Sequence, residues 1–99
     1  MKDTNPISMN TLVSRNETKF LANALGEELV MMNMENGDFI NMNKVGTDIW
    51  NLCETQIPLS GLVQKLVAMY EIELEQCRIE TTQFFENGRE LKMFLFDNK

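Results

Sequence analysis

The feature that most constrains the fold is an Asn-Gly pair, residues 36–37, lying between two short apolar segments. Asn-Gly favours a two-residue hairpin turn, because both central residues of that turn need positive φ. With this pair at the centre, Met34 would face Phe39 and Met31 would face Met42. The sequence therefore predicts two antiparallel strands joined by a tight turn.

Side chains alternate between the two faces of a strand, so this hairpin has two apolar faces. Either elements of the same chain cover both faces, or Met and Phe side chains stay partly exposed for a partner. Adaptable Met-rich surfaces suit the binding of peptides. We expect one face to hold Leu29, Met31, Ile40 and Met42, and the other to hold Val30, Met32, Met34 and Phe39.

A further strand is predicted at residues 18–25, before the hairpin. A tight turn at Gly26 and Glu27 would join it to the strand that follows, with glycine at the first central position. Residues 1–10 are polar and contain Pro6, which predicts a flexible N-terminal arm. Residues 11–99 then form a single domain.

After Met42 the apolar spacing changes to three and four residues, which is typical of helices. Asn43 predicts the N-cap of a first helix, with Trp50 as a core anchor and an apolar stripe of Val45, Ile49, Leu52 and Cys53. A second helix is predicted to begin around Pro58–Ser60, with a core stripe of Leu59, Leu62, Val63, Leu66, Val67 and Tyr70. A third apolar stripe passes through a second Asn-Gly, so we predict a helix that continues through Gly88, with a C-cap there as the alternative. Its positions are Leu74, Cys77, Thr81, Phe84 or Phe85, Gly88, Leu91 and Leu95. The fold prediction is α+β and winged helix-turn-helix-like, with a three-stranded antiparallel sheet followed by three helices.

Charge and composition argue against several function classes. The formal net charge is −6, and residues 71–90 contain six glutamates and two arginines, which disfavours nucleic-acid binding. The chain has no histidine, the commonest general base and metal ligand. Cys53 and Cys77 lie in apolar helical patterns and are predicted to pack in the core. We predict a cytoplasmic protein without catalytic residues, metal or cofactor, and without a membrane segment.

The stretch "MENGDFINMNKVGTDIWNLCE", residues 34–54, resembles the pattern of PqqD-like proteins. Met42-Asn43 stands where family members have Leu-Asn, and Ile49-Trp50 matches an Ile-Trp pair. The amphipathic segments that follow fit the second and third helices of that family. The resemblance implies a recognition element that binds the leader of a ribosomally made precursor peptide. It also implies presentation of that peptide to a modifying enzyme, either a radical SAM enzyme or a leader peptidase.

The resemblance further implies that the leader binds as an added strand on the third strand, beside the third helix. Strand addition needs an edge with unpaired backbone groups and pockets for alternate side chains. On the third helix, Phe85 is predicted to supply a pocket and the two arginines to meet acidic leader residues. The alternative is that Phe85 is core and the arginines are solvated. The predicted peptide-binding residues are Asp38, Phe39, Ile40, Asn41, Met42, Arg78, Thr82, Phe85 and Arg89.

Two other functions stay open on the sequence. A winged-helix DNA-binding regulator has the same fold class, although the acidic third helix argues against it. A structural module could instead form a homodimer through the apolar hairpin faces, since unpaired strand edges also associate readily.

Overall fold

A computed structural model describes residues 6–98 of the chain. They form two three-stranded antiparallel sheets and three helices, and the sheets have the strand orders β2-β3-β4 and β5-β1-β6. The predicted α+β fold with a three-stranded antiparallel sheet and three helices is confirmed, and its winged-helix detail is not. The strands are β1 (Leu12–Arg15), β2 (Phe20–Leu25), β3 (Glu28–Asn33), β4 (Phe39–Met42), β5 (Ile57–Pro58) and β6 (Phe94–Asp97). The helices are α1 (Lys44–Leu52), α2 (Leu59–Tyr70) and α3 (Leu74–Asn87), and a 3-10 turn follows at Arg89–Leu91.

The predicted hairpin exists, but its register was wrong by two residues. Met31 faces Ile40 rather than Met42, because residues 34–37 form a four-residue connection in place of a two-residue turn. Asn33 promotes this longer connection, since its side-chain oxygen accepts the N–H of Glu35 at 2.9 Å and its carbonyl accepts the N–H of Gly37 at 2.7 Å. Gly37 has a φ of 78°, which favours glycine.

A shift of two residues leaves every side chain on its predicted face, because the side-chain period of a strand is two. The core face of the β2-β3-β4 sheet carries buried Met31 and Met42 and half-buried Ile40. The opposite face is partly exposed, and Phe39 on it is 68% exposed. The predicted faces are therefore confirmed, and only one of them is covered within the described residues.

The first helix begins as predicted at Asn43, whose side-chain oxygen accepts the N–H of Gly46 at 2.8 Å. Trp50 is buried, as expected for a core anchor. Val45 differs from the prediction, because it is 43% exposed and the buried side of α1 is turned toward Thr47 and Trp50. The second helix buries the predicted stripe of Leu59, Leu62, Val63 and Leu66.

The prediction of a third helix running through Gly88 was wrong, since α3 ends at Asn87 with Gly88 as its C-cap. The N–H of Gly88 still bonds the carbonyl of Phe84 at 3.1 Å, and Lys92 then takes a left-handed φ of 60°. The reason is the strand that follows. Phe94–Asp97 pairs with β1, and this pairing with the buried Phe94 outweighs a weak helical continuation through Asn-Gly.

The N-terminal strand β1 lies in the middle of the second sheet, between β5 and β6. Before it, Ile7 and Met9 pack against the core, and the carbonyl of Met9 accepts the N–H of Ser60 at 3.0 Å. The first half of the predicted flexible arm, residues 1–5, lies outside the described residues. The division into an arm and a single domain stays a prediction.

The core joins the helices to the second sheet through aromatic contacts. The ring of Phe94 lies edge-on to Trp50 and Phe85, with centroid distances of 5.6 and 5.0 Å. Both cysteines are buried and free, which confirms that they pack in the core. Burial raises the pKa of the Cys53 thiol to about 12, so it stays protonated at neutral pH.

Candidate functional site

Strand β4 is an edge of its sheet, and in the described part of the chain it pairs with β3 alone. The N–H of Asn33 bonds the carbonyl of Asp38 at 2.8 Å, which sets the phase of the ladder. Because hydrogen-bonding direction alternates along an antiparallel strand, Ile40 and Met42 direct their backbone groups toward β3. Phe39 and Asn41 therefore direct theirs outward. This outward row is the geometry that strand addition requires.

A buried threonine fixes the end of this strand against α1. The Thr47 hydroxyl accepts the N–H of Leu29 at 3.1 Å and donates to the carbonyl of Met42 at 3.4 Å. It therefore bridges β3 and β4 from the first turns of the helix that follows them. Such a bridge holds the β4 edge in one position relative to the helices.

A groove of about 400 Å³ lies next to the end of β4, among the three helices. Gly46 lies at its base, where an added Cβ would come 2.9 Å from Met42 Cε and 3.6 Å from Phe84 Cε1. The absence of a side chain there lets residues of β4 and α3 approach each other over α1. The groove is lined by Asn43, Val45, Gly46, Ile49, Leu66, Tyr70, Ile72, Cys77, Glu80, Thr81 and Phe84.

The groove is mostly apolar. Its polar lining includes the carboxylate of Glu80 and the hydroxyl of Tyr70, which bonds the carboxylate of Asp48. The hydroxyl of Tyr70 donates to Asp48 Oδ2, which also pairs with Lys44 Nζ at 3.4 Å. This hydrogen bond to Asp48 is the main reason that the pKa of Tyr70 is raised to about 12. Glu80 Oε2 accepts a hydrogen bond from Gln76 Nε2 at 2.9 Å. Among the residues that line the groove, Glu80 is therefore the one with a charged side chain.

The five predicted strand residues lie together along the β4 edge. Asp38 and Asn41 are exposed, and the N–H of Asp38 donates to the side chain of Asn36 at 2.9 Å. Phe39 is exposed on the outer face, whereas Ile40 and Met42 face the core. A peptide on this edge would thus meet the backbone of the strand and the side chain of Phe39.

Of the four residues predicted on the third helix, three lie on a face of α3 that does not line the groove, and Arg89 lies in the 3-10 turn after α3. Phe85 is 1% exposed and packs against Phe94. Arg89 pairs with Glu86 at 3.2 Å and lies over the ring of Phe96. Whether a peptide contacts this face stays a prediction. The four residues are Arg78, Thr82, Phe85 and Arg89.

The α3 residues that do line the groove are Cys77, Glu80, Thr81 and Phe84. At 100° per residue, their strip is centred about 120° from the predicted one. Cys77, Thr81 and Phe84 belonged to the stripe assigned to the core, because an apolar groove wall and a core face have the same helical spacing. Glu80 carried no sequence signal of its own.

The described residues contain neither a metal-binding cluster nor a membrane-spanning helix. No group of three or more cysteine, aspartate or glutamate side chains in residues 6–98 is arranged to hold a metal ion. Within the same range, every helix is too short or too polar to cross a membrane.

One of three comparisons with known proteins gives a match. No curated protein and no solved structure gives a significant match to the chain. A family model described as coenzyme PQQ synthesis protein D (PqqD) matches residues 28–93, about two thirds of the chain. The match begins at β3 and ends after α3, so it includes the β4 edge and every residue that lines the groove. This chain belongs to the PqqD family.

Proposed function

We propose that the protein is a non-catalytic chaperone for a ribosomally made precursor peptide. It binds the leader of that peptide and presents it to a modifying enzyme, a radical SAM enzyme or a leader peptidase. The family description supports a role in biosynthesis. The observation that carries the proposal is the free β4 edge beside an apolar groove.

In this proposal the leader adds to β4 as a further antiparallel or parallel strand. Its backbone bonds the outward groups of Phe39 and Asn41, which supplies affinity for any extended peptide. One of its side chains enters the groove next to Val45 and Phe84, and burial of apolar surface there supplies selectivity. The surface with Arg78 and Thr82 on α3 and Arg89 in the 3-10 turn remains a proposed second contact, outside the groove.

The acidity of α3 supports a peptide rather than a nucleic acid as the ligand. Glu75, Glu80 and Glu86 lie on this helix, and Arg78 and Arg89 are engaged by Glu75 and Glu86. A helix that binds a phosphate backbone needs the opposite charge.

The test is titration with the leader of a precursor peptide encoded beside this gene, followed by amide chemical shifts. We expect the largest shifts at Phe39–Met42 and around the groove. Val45→Asp should weaken binding by about tenfold or more, because it places a charge in the apolar groove. The matched control is Ile79→Asp, since Ile79 is 46% exposed on α3 and does not line the groove. Equal losses of leader affinity in both variants, or chemical-shift changes confined to α2, would refute the proposal.

A further inference from the structure

We infer that the peptide segment bound in the groove carries an apolar anchor residue with a lysine or arginine close to it, and that this cation pairs with Glu80. The inference rests on the proposed function and specifies the chemistry of its ligand. It concerns the groove, and it is separate from the expectation that Arg78 and Arg89 meet acidic residues of the peptide.

The first step is the pairing of the two predicted arginines, Arg78 on α3 and Arg89 in the 3-10 turn after it. Arg78 Nε donates to Glu75 Oε1 at 3.1 Å, and a second bond joins the same two side chains. This pairing lowers the pKa of Glu75. Arg89 is engaged by Glu86 and by the ring of Phe96. A peptide carboxylate would have to compete with these internal partners.

The second step is the charge at the groove itself. Glu80 lines the groove, and in the described residues its carboxylate has the neutral Gln76 amide as its partner rather than a cation. The carboxylate of Asp48 lies behind Tyr70 and is already paired with Lys44. Glu80 is therefore the acceptor at the groove that an incoming cation would reach.

The third step is the charge around Glu80, which is also negative and so also favours a cationic ligand. Ile72 lines the groove and is flanked by two exposed glutamates, Glu71 and Glu73. The chain as a whole carries a formal charge of −6. Acidic groups around an apolar groove attract cationic ligands and disfavour anionic ones.

The apolar part of the ligand follows from the other lining residues. Val45, Ile49, Leu66 and Phe84 present hydrocarbon surface, and about 400 Å³ accommodates one large aliphatic or aromatic side chain together with part of its neighbour. An extended peptide places side chains i and i+2 on the same side, about 7 Å apart. A long lysine or arginine at a neighbouring position can therefore reach the groove rim while the anchor is buried.

The experiment uses a library of acetylated and amidated dodecapeptides with a central Leu, Ile, Met or Phe. Each flanking position is varied among Lys, Arg, Gln and Glu, and binding is measured by fluorescence polarisation at low salt. We expect one flanking position to prefer Lys or Arg over Glu by about two- to fivefold, the range of a partly exposed ion pair. This preference should fade in 0.5 M salt.

Two substitutions of Glu80, one that reverses its charge and one that removes it, assign the preference. Glu80→Lys should reverse it at that position, and Glu80→Gln should abolish it. Glu90→Lys is the matched control, because Glu90 is exposed in the 3-10 turn and does not line the groove. It should leave the preference unchanged.

The outcomes separate this inference from the proposed function. The inference is overturned if library peptides shift the Val45 and Phe84 resonances but show no charge preference, or prefer Glu. That result leaves the proposed function standing. A preference for Lys that survives Glu80→Lys also overturns it. Library peptides that bind away from the groove and the β4 edge, or a library without any binder, overturn both.

Discussion

Replacement of Thr47 by valine tests the bridge between the sheet and the first helix. Valine has nearly the same shape as threonine, and both are β-branched, so helix propensity changes little. The substitution removes the hydroxyl that accepts the N–H of Leu29 and donates to the carbonyl of Met42. Thr47 is 5% exposed, so water cannot readily replace it.

The expected cost follows from the two hydrogen bonds that the substitution removes. Each hydrogen bond of this kind contributes about 0.5–1.5 kcal/mol to stability. For a domain of this size, each kcal/mol lowers Tm by about 4–8 °C. Thr47→Val should therefore lower the free energy of unfolding by about 2 kcal/mol, as measured by urea denaturation, and lower Tm by roughly 10 °C.

Thr82→Val is the matched control on α3. Thr82 is half-buried, and its hydroxyl makes no hydrogen bond among the described residues. We expect its free energy of unfolding to change by less than about 0.5 kcal/mol. A Thr47→Val protein as stable as this control would refute the bridge and, with it, the reasoning that α1 positions the β4 edge.

Three further substitutions or treatments have defined outcomes. Asn41→Pro removes an outward N–H of β4 without removing a bond to β3, so it should abolish leader binding while the protein stays folded. The control, Ala24→Pro, removes an outward N–H at the opposite β2 edge and should leave leader binding, measured by titration, unchanged. Gly37→Ala should destabilise the protein by about 1–2 kcal/mol in urea denaturation, because alanine is strained at a φ of 78°, and Gly37→Asn should cost less. Cys53 should resist iodoacetamide at pH 8 in the native protein and react in urea, as read by mass spectrometry. Its raised pKa means that the folded state holds the proton more tightly, so this stabilisation is complete below pH 9 and is lost as the pH rises toward about 12.

The parts of the fold that sequence reasoning predicted are those set by local pattern. The faces of the β3-β4 hairpin follow from strict alternation, and they survive a register error of two residues. The start of α1 follows from the side chain of Asn43, which acts within one turn. Neither feature needs information from distant residues.

The parts that were missed depend on distant partners. Strand β1 is four residues long, and its partner β6 lies about eighty residues away, so neither segment shows a strong pattern alone. The same pairing ends α3 at Gly88, against a helical spacing that continues to Leu95. The groove strip of α3 was read as core, because spacing alone does not say whether another element covers an apolar face.

The most direct test of the central claim is amide hydrogen exchange with and without the leader peptide. The account predicts that the outward amides of Phe39 and Asn41 exchange readily in the free protein and slow by at least about tenfold when the leader is bound, because they then donate to an added strand. The outward amides of Ala22 and Ala24 on the β2 edge should not change. Saturating leader that slows the β2 amides, or that leaves Phe39 and Asn41 exchanging as before, would contradict the claim that the peptide adds to β4.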